Sequence, residues 1–522
     1  MPRDRHDAMF IKGNNCKITN WASWFEYREL ERQTIKLPAG GDMPCAIFFP
    51  ADYSVGMANL GLHYIYRTLR ETGVAVERFF AAPIPYRSVE RDTLLERFPL
   101  ILASVSYEAD IPLFARWLGG GGVEPVREHR ETSSSGNAPL IGAGGAVTYI
   151  NPISLSGICD FIVLGDGVET TRGLVEILRQ GLPREKMLAA LADHPSIYVP
   201  SIHERGRHLL EIAKTDITRD YGRGVWITER TVFGDTLLLE LQRGCVRGCG
   251  FCTLPSCFAP ARSRGLELVK RDIEEASGAA DFSRIGLVTP EAGDYKALDE
   301  LIEFASSIGK QVSFASLRVD GITERMMKAV IDGGRHSVTI APEAGDENLR
   351  SKTGKRFTNK RVVDVLKMAS DLGAKSAKMY FMFGLPGETD EHLLEISKLC
   401  ATARDETGLK ITAAASPFVP KPGTAWREEV FEGEKNLKRK HAIISRSFGG
   451  LSGVKLQTAG IREACIEYAV SWAGASASRL IAEAALSGAS YKRLVNMTDR
   501  SKTCFEFERL GLNAGTTRKG AP

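Results

Sequence analysis

Short apolar runs alternate with helix-period stretches along most of the chain. Near the N-terminus, "CAIFFP" (45–50), "VAVERFFA" (74–81) and "LILASVS" (100–106) have the length and apolar density of buried strands. "PLIGAGGA" (139–146) and "FIVLGDG" (161–167) are further strands that end in glycine turns. Between them, "SVGMANLGLHYIYRTLRETG" (54–73), "IPLFARWL" (111–118) and "VETTRGLVEIL" (168–178) carry helical spacing. This alternation predicts a doubly wound, Rossmann-like parallel α/β sheet over residues 1–200. The Gly/Ser-rich, charged run at 119–139 predicts a flexible surface insertion. Residues 201–235 are poor in periodic runs and predict a linker.

The alternation resumes at 236. "TLLLELQ" (236–242), "RIGLVT" (284–289), "QVSFAS" (311–316), "SVTIAP" (337–342), "SAKMYFMFG" (376–384) and "LKITAAAS" (409–416) are strand candidates, with helical stretches in every gap. Six β/α steps predict a partial (β/α)6 barrel over 236–430. In barrels of this kind chemistry sits at the C-terminal ends of the strands. Residues 431–522 turn basic and then alanine-rich with helical periodicity. They predict a small helical region with a frayed tail at 513–522.

A chain of 522 residues is too long for one core, and 43% hydrophobic with 25% charged residues is ordinary for a soluble protein. A net charge of +4 gives no reason to expect a nucleic-acid partner, although a local basic patch would be hidden in such a total. No apolar run reaches the ~18–20 residues that span a bilayer. "MPRDRHDAMF" lacks the apolar stretch of a leader, so a cytoplasmic location is expected. Ten cysteines without an export signal do not form a disulfide framework. Cys16, Cys45, Cys159, Cys400, Cys465 and Cys504 are far apart and read as small buried hydrophobes.

"RGCVRGCGFC" (243–252) is different, because it sets Cys245, Cys249 and Cys252 directly after the first barrel strand. A structural zinc site usually takes four ligands in two separated groups, and no second pair follows. A dithiol redox motif leaves Cys245 unexplained. An iron–sulfur cluster on three thiolates uses all three and leaves one iron open for a ligand. Glycines 244, 248 and 250 let the loop curl so that the three side chains converge.

This spacing at this position resembles the radical S-adenosylmethionine (SAM) superfamily. "SLRVDGIT" (316–323), "APEAGDENLRSKTGK" (341–355), "YFMFGLPGETDE" (380–391) and "SPFVPKPGTAW" (416–426) resemble it at later strand ends. "PADYSVGMANLGLHYIY" (50–66), "SVSYEADI" (104–111), "GAGGAVTYINP" (142–152) and "LGDGVET" (164–170) resemble the branch with an N-terminal cobalamin-binding-type domain. The resemblance implies a 4Fe–4S cluster on Cys245, Cys249 and Cys252, with SAM chelating the fourth iron. It implies reductive cleavage of SAM to a 5′-deoxyadenosyl radical, and an electron donor such as flavodoxin or ferredoxin.

Within that resemblance Phe251 takes the place of a side chain that lies against adenine. Glu343 is expected to meet the ribose hydroxyls or the SAM amino group, or else to cap the helix from Asp346. Arg318, beside Ser316 at the third strand end, suits the SAM carboxylate, or a scaffold pair with Glu343 or an Asp. Pro290 and Glu291 stand where the superfamily usually places a glycine-rich stretch at the SAM amino group. Thr389 is expected to cap a helix, Cys257 reads as a loop cysteine, and Arg262 and Arg264 are either solvated or meet an anionic substrate. The first N-terminal strand is followed by "ADYSVGMANLG", which holds no histidine to ligate cobalt from below. The glycine turns at 142–145 and 165–167 suit either a flat macrocycle or a tight β/α turn. The expected activity is thus radical SAM chemistry, with cobalamin-dependent methyl transfer or without cobalamin. A tRNA methylthiotransferase-like activity is a further alternative. That family carries three N-terminal cluster cysteines and a C-terminal β-domain. Here only Cys16 and Cys45 precede Cys159, and the C-terminus reads as helical.

Overall fold

The computed structural model describes residues 23–132, 138–314, 317–334, 336–487 and 491–512. Ser316, Cys16 and the tail 513–522 lie outside them. The chain divides into two compact units. One runs up to Asp235 and adds Glu275–Asp281 and the residues from Ala469 on; the other is Thr236–Glu274 with Phe282–Tyr468.

The first unit is built on a six-stranded sheet. Its strands are Met43–Asp52, Val74–Ala82, Leu100–Ser104, Leu140–Gly144, Phe161–Val163 and Ile197–Tyr198, in spatial order second, first, third, fourth, fifth, sixth. The first five run parallel and the last is antiparallel. Their apolar runs are continuous because both faces are covered. Helix Leu60–Glu71 buries Leu62, Tyr66 and Leu69, and Asn59 caps it by accepting the Leu62 N–H at 2.9 Å. The strand order reverses between Met43–Asp52 and Leu100–Ser104, the position where open α/β sheets bind ligands.

Three expectations change in this unit. Residues 201–235 are not a loose linker. Trp226–Ile227 pairs antiparallel with Arg32–Gln33, and Val225, Trp226 and Ile227 are buried. The run 119–139 is not wholly a surface insertion either: Val123, Val126, Arg127 and Arg130 are buried, and Arg127–Thr132 is helical. The alanine-rich C-terminal helices, expected as a small region of their own, belong to this unit. Asn151 donates to the carbonyls of Ser471 (3.1 Å) and Ala473 (2.9 Å), while Ser478 Oγ accepts the Gly157 N–H and donates to Ser154 O. A Cβ at Gly157 would lie 2.5 Å from the Arg479 nitrogen, so only glycine permits this approach.

The second unit carries the strands expected of a partial barrel: Thr236–Glu240, Arg284–Val288, Gln311–Phe314, Ser337–Glu343, Ser376–Phe383 and Lys410–Pro417. They are parallel neighbours in chain order, and a Leu317–Ile340 bridge joins the third to the fourth. A seventh parallel strand, Val454–Thr458, adds to the sixth. It lies in the region expected to be helical. Its burial is only partial, as befits an edge strand, and that hides its periodicity.

Candidate functional site

The cysteine loop leaves the first strand and is clasped at its base, where Gln242 and Arg243 pair antiparallel with Ser263 and Arg262. Arg243 makes a two-pronged ion pair with Glu240, both contacts 2.7 Å. Gly244 turns the chain at φ +77°, where a Cβ would sit 2.4 Å from the Phe258 carbonyl.

Two other strand-end segments then grip the loop. After the fourth strand, Thr353 O accepts the Gly250 N–H at 3.1 Å. Gly354, at φ +93°, comes so close that a Cβ there would lie 2.7 Å from Gly248 O and 2.9 Å from Cys249 Cα. After the sixth strand, the Trp426 N–H donates to Gly250 O at 2.9 Å, and its indole occupies the place of a Gly250 side chain. "SKTGK" and "GTAW" are thus clamps on the loop, a role that sequence spacing did not reveal.

The three thiols sit together, half-buried. Burial raises the Cys245 pKa and pushes that of Cys252 up to about 11; Cys249 acts on both through its charge, and Cys245 also on Cys252. Three thiolates in one place therefore need a strong positive counter-charge. Arg318 supplies part of it, with Nη1 3.4 Å from Cys249 Sγ, while Lys355 favours the Cys252 thiolate. Among the described residues, no group of three or more His, Cys, Asp or Glu side chains closes on a single metal ion. Ligands that each hold a different iron of one cluster stand wider apart than ligands of one ion. The donor set thus fits an iron–sulfur cluster with three protein thiolates.

Arg318 lies beside these sulfurs, with Nε 2.7 Å from Asp320 and Nη2 3.2 Å from Gly354 O, so the scaffold pair with an Asp is the one formed. Glu343 ends the fourth strand at a bulge, at φ +67°, and Lys355 Nζ donates to its Oε1 at 2.7 Å and to Ala341 O at 2.8 Å. Burial raises the Glu343 pKa, and Lys355 and Arg318 oppose it. Glu343 is not the helix cap: Asp346 is, accepting the Leu349 N–H at 2.7 Å. Glu291 is buried at the second strand end and accepts the Gly293 N–H at 3.2 Å. Phe251 packs with Met382 and Trp426 on a buried pad of Ala344, Leu349, Leu385 and Phe418.

Arg350, fully buried, shapes this end of the fourth strand, and composition gave no sign of it. Its guanidinium donates to the carbonyls of Pro342, Ala344, Gly345 and Phe357 and to Asn359 Oδ1. Desolvation lowers its pKa to about 10. Arg247 reaches from the cysteine loop to Asp294, with Nε 3.0 Å from Oδ2. Arg264 is neither solvated nor open to substrate, being buried in an ion pair with Asp272. In "GLPGET", Gly384 and Gly387 take φ +81° and +71°, and the Thr389 N–H is accepted by His392 Nδ1 at the start of helix Asp390–Thr407. Cys257 ends the short helix Leu254–Cys257 and is half-buried.

In the N-terminal unit, three glycines of the two candidate cofactor turns have a packing reason. A Cβ would lie 2.3 Å from the Phe161 ring at Gly142, 2.4 Å from Val105 O at Gly145 and 2.5 Å from Ala213 O at Gly165. At the switch point, Asn59 Nδ2 is 3.3 Å from Ser106 Oγ, and Tyr107 is 68% exposed.

Comparison with known proteins agrees with this geometry. Residues 239–400 match the family model described as the radical SAM superfamily, and 61–200 match that of radical SAM proteins, N-terminal. An uncharacterized protein of Methanocaldococcus jannaschii is 26% identical over 76% of this chain and 82% of its own length. The ribosomal protein uS12 methylthiotransferase RimO of a Thermoanaerobacter species is 22% identical over 39% of this chain, which spans only 48% of that enzyme. Among solved structures, the radical SAM methyltransferase TsrM of Kitasatospora setae, with cobalamin and a [4Fe–4S] cluster bound, matches at TM-score 0.50 and 15% identity over 74% of each chain. OxsB, a cobalamin-dependent SAM radical enzyme, matches at TM-score 0.50 and 18% identity over 78% of this chain and 56% of its own. At these identities the structural likeness is one of fold.

Proposed function

The chain belongs to the radical SAM superfamily, and from that premise we propose that Cys245, Cys249 and Cys252 hold its 4Fe–4S cluster in a site that cleaves SAM. The observation that carries this reading is the loop itself: three thiols on one turn, gripped by the Thr353–Gly354 and Trp426 backbones and faced by Arg318. A reduced cluster of this kind supplies the electron that splits SAM into methionine and a 5′-deoxyadenosyl radical.

The chain's own residues bind and orient. Phe251 and the pad behind it offer an apolar face to adenine. Glu343, fixed by Lys355, and Glu291 present carboxylates to the amino group and ribose hydroxyls of SAM. Arg318, with Nη1 3.4 Å from Cys249 Sγ, adds a cation for the SAM carboxylate. A flavodoxin- or ferredoxin-like protein supplies the electron.

We infer further that the N-terminal unit binds cobalamin for methyl transfer. Its support is the sheet order, whose switch point lies between Met43–Asp52 and Leu100–Ser104 and exposes Tyr107. No histidine stands there, so the corrinoid would bind without a protein imidazole. A second reading keeps the radical chemistry without cobalamin; the packing of Gly142, Gly145 and Gly165 favours it, because it accounts for those glycines without a ligand.

Anaerobic protein reconstituted with iron and sulfide should form 5′-deoxyadenosine from SAM on reduction, and absence of that product rejects the first proposal. Retention of cobalt after incubation with hydroxocobalamin and gel filtration decides between the other two readings.

A further inference from the structure

The inner face of the second unit's four-stranded sheet is unlike a packed barrel interior. Barrel interiors are normally filled by layers of Val, Ile and Leu. Here one face of strand Ser376–Phe383 is apolar and buried, and Phe383 on it lies 6.4 Å from His441 of helix Gly433–Ser447. That face looks outward to the helices. The alternate face carries Lys378, Tyr380 and Met382. Met382 packs on the same buried pad of Ala344, Leu349, Leu385 and Phe418 as Phe251 of the cysteine loop, so this second face is the inner one and runs up to the cluster site.

Parallel register extends that face across the sheet. Thr339, Lys378, Thr412 and Lys455 are successive partners on four adjacent strands, and so form one polar rung. Thr339, Lys378 and Thr412 are half-buried, and Lys455 is exposed at the edge strand. Neither lysine forms an ion pair among the described residues. Lys378 Nζ stands 5.0 Å from the Tyr380 ring centroid, and that ring, one rung higher, is 39% exposed. Two carboxylates nearer the cysteine loop are engaged in ion pairs, Glu240 with Arg243 and Glu343 with Lys355. The rung therefore holds two uncompensated cations and two hydroxyls on a surface open to solvent.

We propose that this rung is the substrate's anchor, and that the substrate is a small molecule carrying an oxyanion, a carboxylate or a phosphate, held by Lys378 with Thr339 and Thr412. The inference rests on the radical SAM reading of the cysteine loop. An ammonium on a half-buried sheet face is a point-charge partner for an oxyanion, and flanking hydroxyls donate the remaining hydrogen bonds. Lys378 and Met382 are four residues apart, so their backbones lie about 13 Å apart at ~3.3 Å per residue. The anchored end thus lies well below the pad, and the carbon that meets the radical is at the far end of the molecule, past Tyr380.

The test is calorimetric titration of the reconstituted full-length protein with phenyl phosphate and, separately, with benzoate, in the wild type, Lys378→Gln, Lys378→Arg and the control Lys360→Gln on an exposed helix face. The expected result is binding of at least one probe, weakened at least tenfold in Lys378→Gln, within threefold of wild type in Lys378→Arg, and unchanged in Lys360→Gln. Preference for phenyl phosphate or for benzoate distinguishes a phosphate from a carboxylate substrate. Failure of the wild type to bind either probe, or equal affinity in Lys378→Gln, overturns the proposal. The titration needs no reductant and no SAM. 5′-deoxyadenosine from the same wild-type preparation reports on the radical SAM reading separately, so the two can fail independently.

Discussion

Gly354→Ala is the most informative single change around the cysteine loop. The alanine must adopt φ +93°, and its Cβ would lie 2.7 Å from Gly248 O and 2.9 Å from Cys249 Cα, inside any real contact distance. The left-handed backbone costs roughly 1–2 kcal/mol for an L-residue. The clash is with backbone, so either the 353–354 turn or the cysteine loop moves, and the Thr353 O to Gly250 N–H bond at 3.1 Å is lost for about 1 kcal/mol more. A total of about 2–3 kcal/mol falls on the loop that must hold three sulfurs in one arrangement. Gly373→Ala is the control: it sits at φ +101° with nothing within 4 Å, so it carries the backbone strain without the clash. Iron and sulfide per chain after anaerobic reconstitution, with 5′-deoxyadenosine as the second readout, provide the assay. Gly354→Ala should retain less than half the wild-type iron and lose at least tenfold in SAM cleavage, whereas Gly373→Ala should load fully. Full iron and SAM cleavage within about twofold in Gly354→Ala would refute the clamp.

Two further changes probe the scaffold. Arg350→Met strands the buried carbonyls that the guanidinium satisfies, at ~1 kcal/mol or more each; a loss of about 3 kcal/mol or more should appear as a fall of about 6 °C or more in Tm. His63 reports on the N-terminal unit through pH. Its Nδ1 accepts the Val225 N–H at 2.8 Å, so Nε2 donates to Met57 O at 3.0 Å and the buried ring is neutral. Burial, then Arg78, lowers its pKa from 6.5 to about 4. Between those values the unfolded chain binds a proton that the folded one refuses. The stability His63 contributes is whole above pH 6.5 and drains away as pH falls toward 4, by roughly 3 kcal/mol in all. Urea midpoints between pH 7 and 4.5 should fall accordingly, and less steeply in His63→Gln.

The parallel strands were legible because strands covered on both faces read as unbroken apolar runs, and the cysteine loop because three thiols in eight residues is a local pattern. What escaped was set by contacts between distant segments. Nothing near Gly354 in sequence says that it abuts Gly248, and Trp426 is a lone aromatic until its indole fills the space beside Gly250. Arg78 looks like a solvated charge in "VAVERFFA" but is buried against Glu31 and Glu90, with Trp226 3.8 Å from its guanidinium. Residues 201–235 misread as a linker for the same reason, since the strand they supply pairs with Arg32–Gln33 far back in the chain.

The central claim is that three cysteines of one loop hold the cluster that cleaves SAM. Its most direct test is Cys249→Ala, with iron and sulfide counted and 5′-deoxyadenosine quantified after reduction in the absence of oxygen. The wild type should carry a four-iron cluster and form 5′-deoxyadenosine, and the variant should lose the product and most of the iron. A variant that kept its iron and its SAM cleavage would contradict the account.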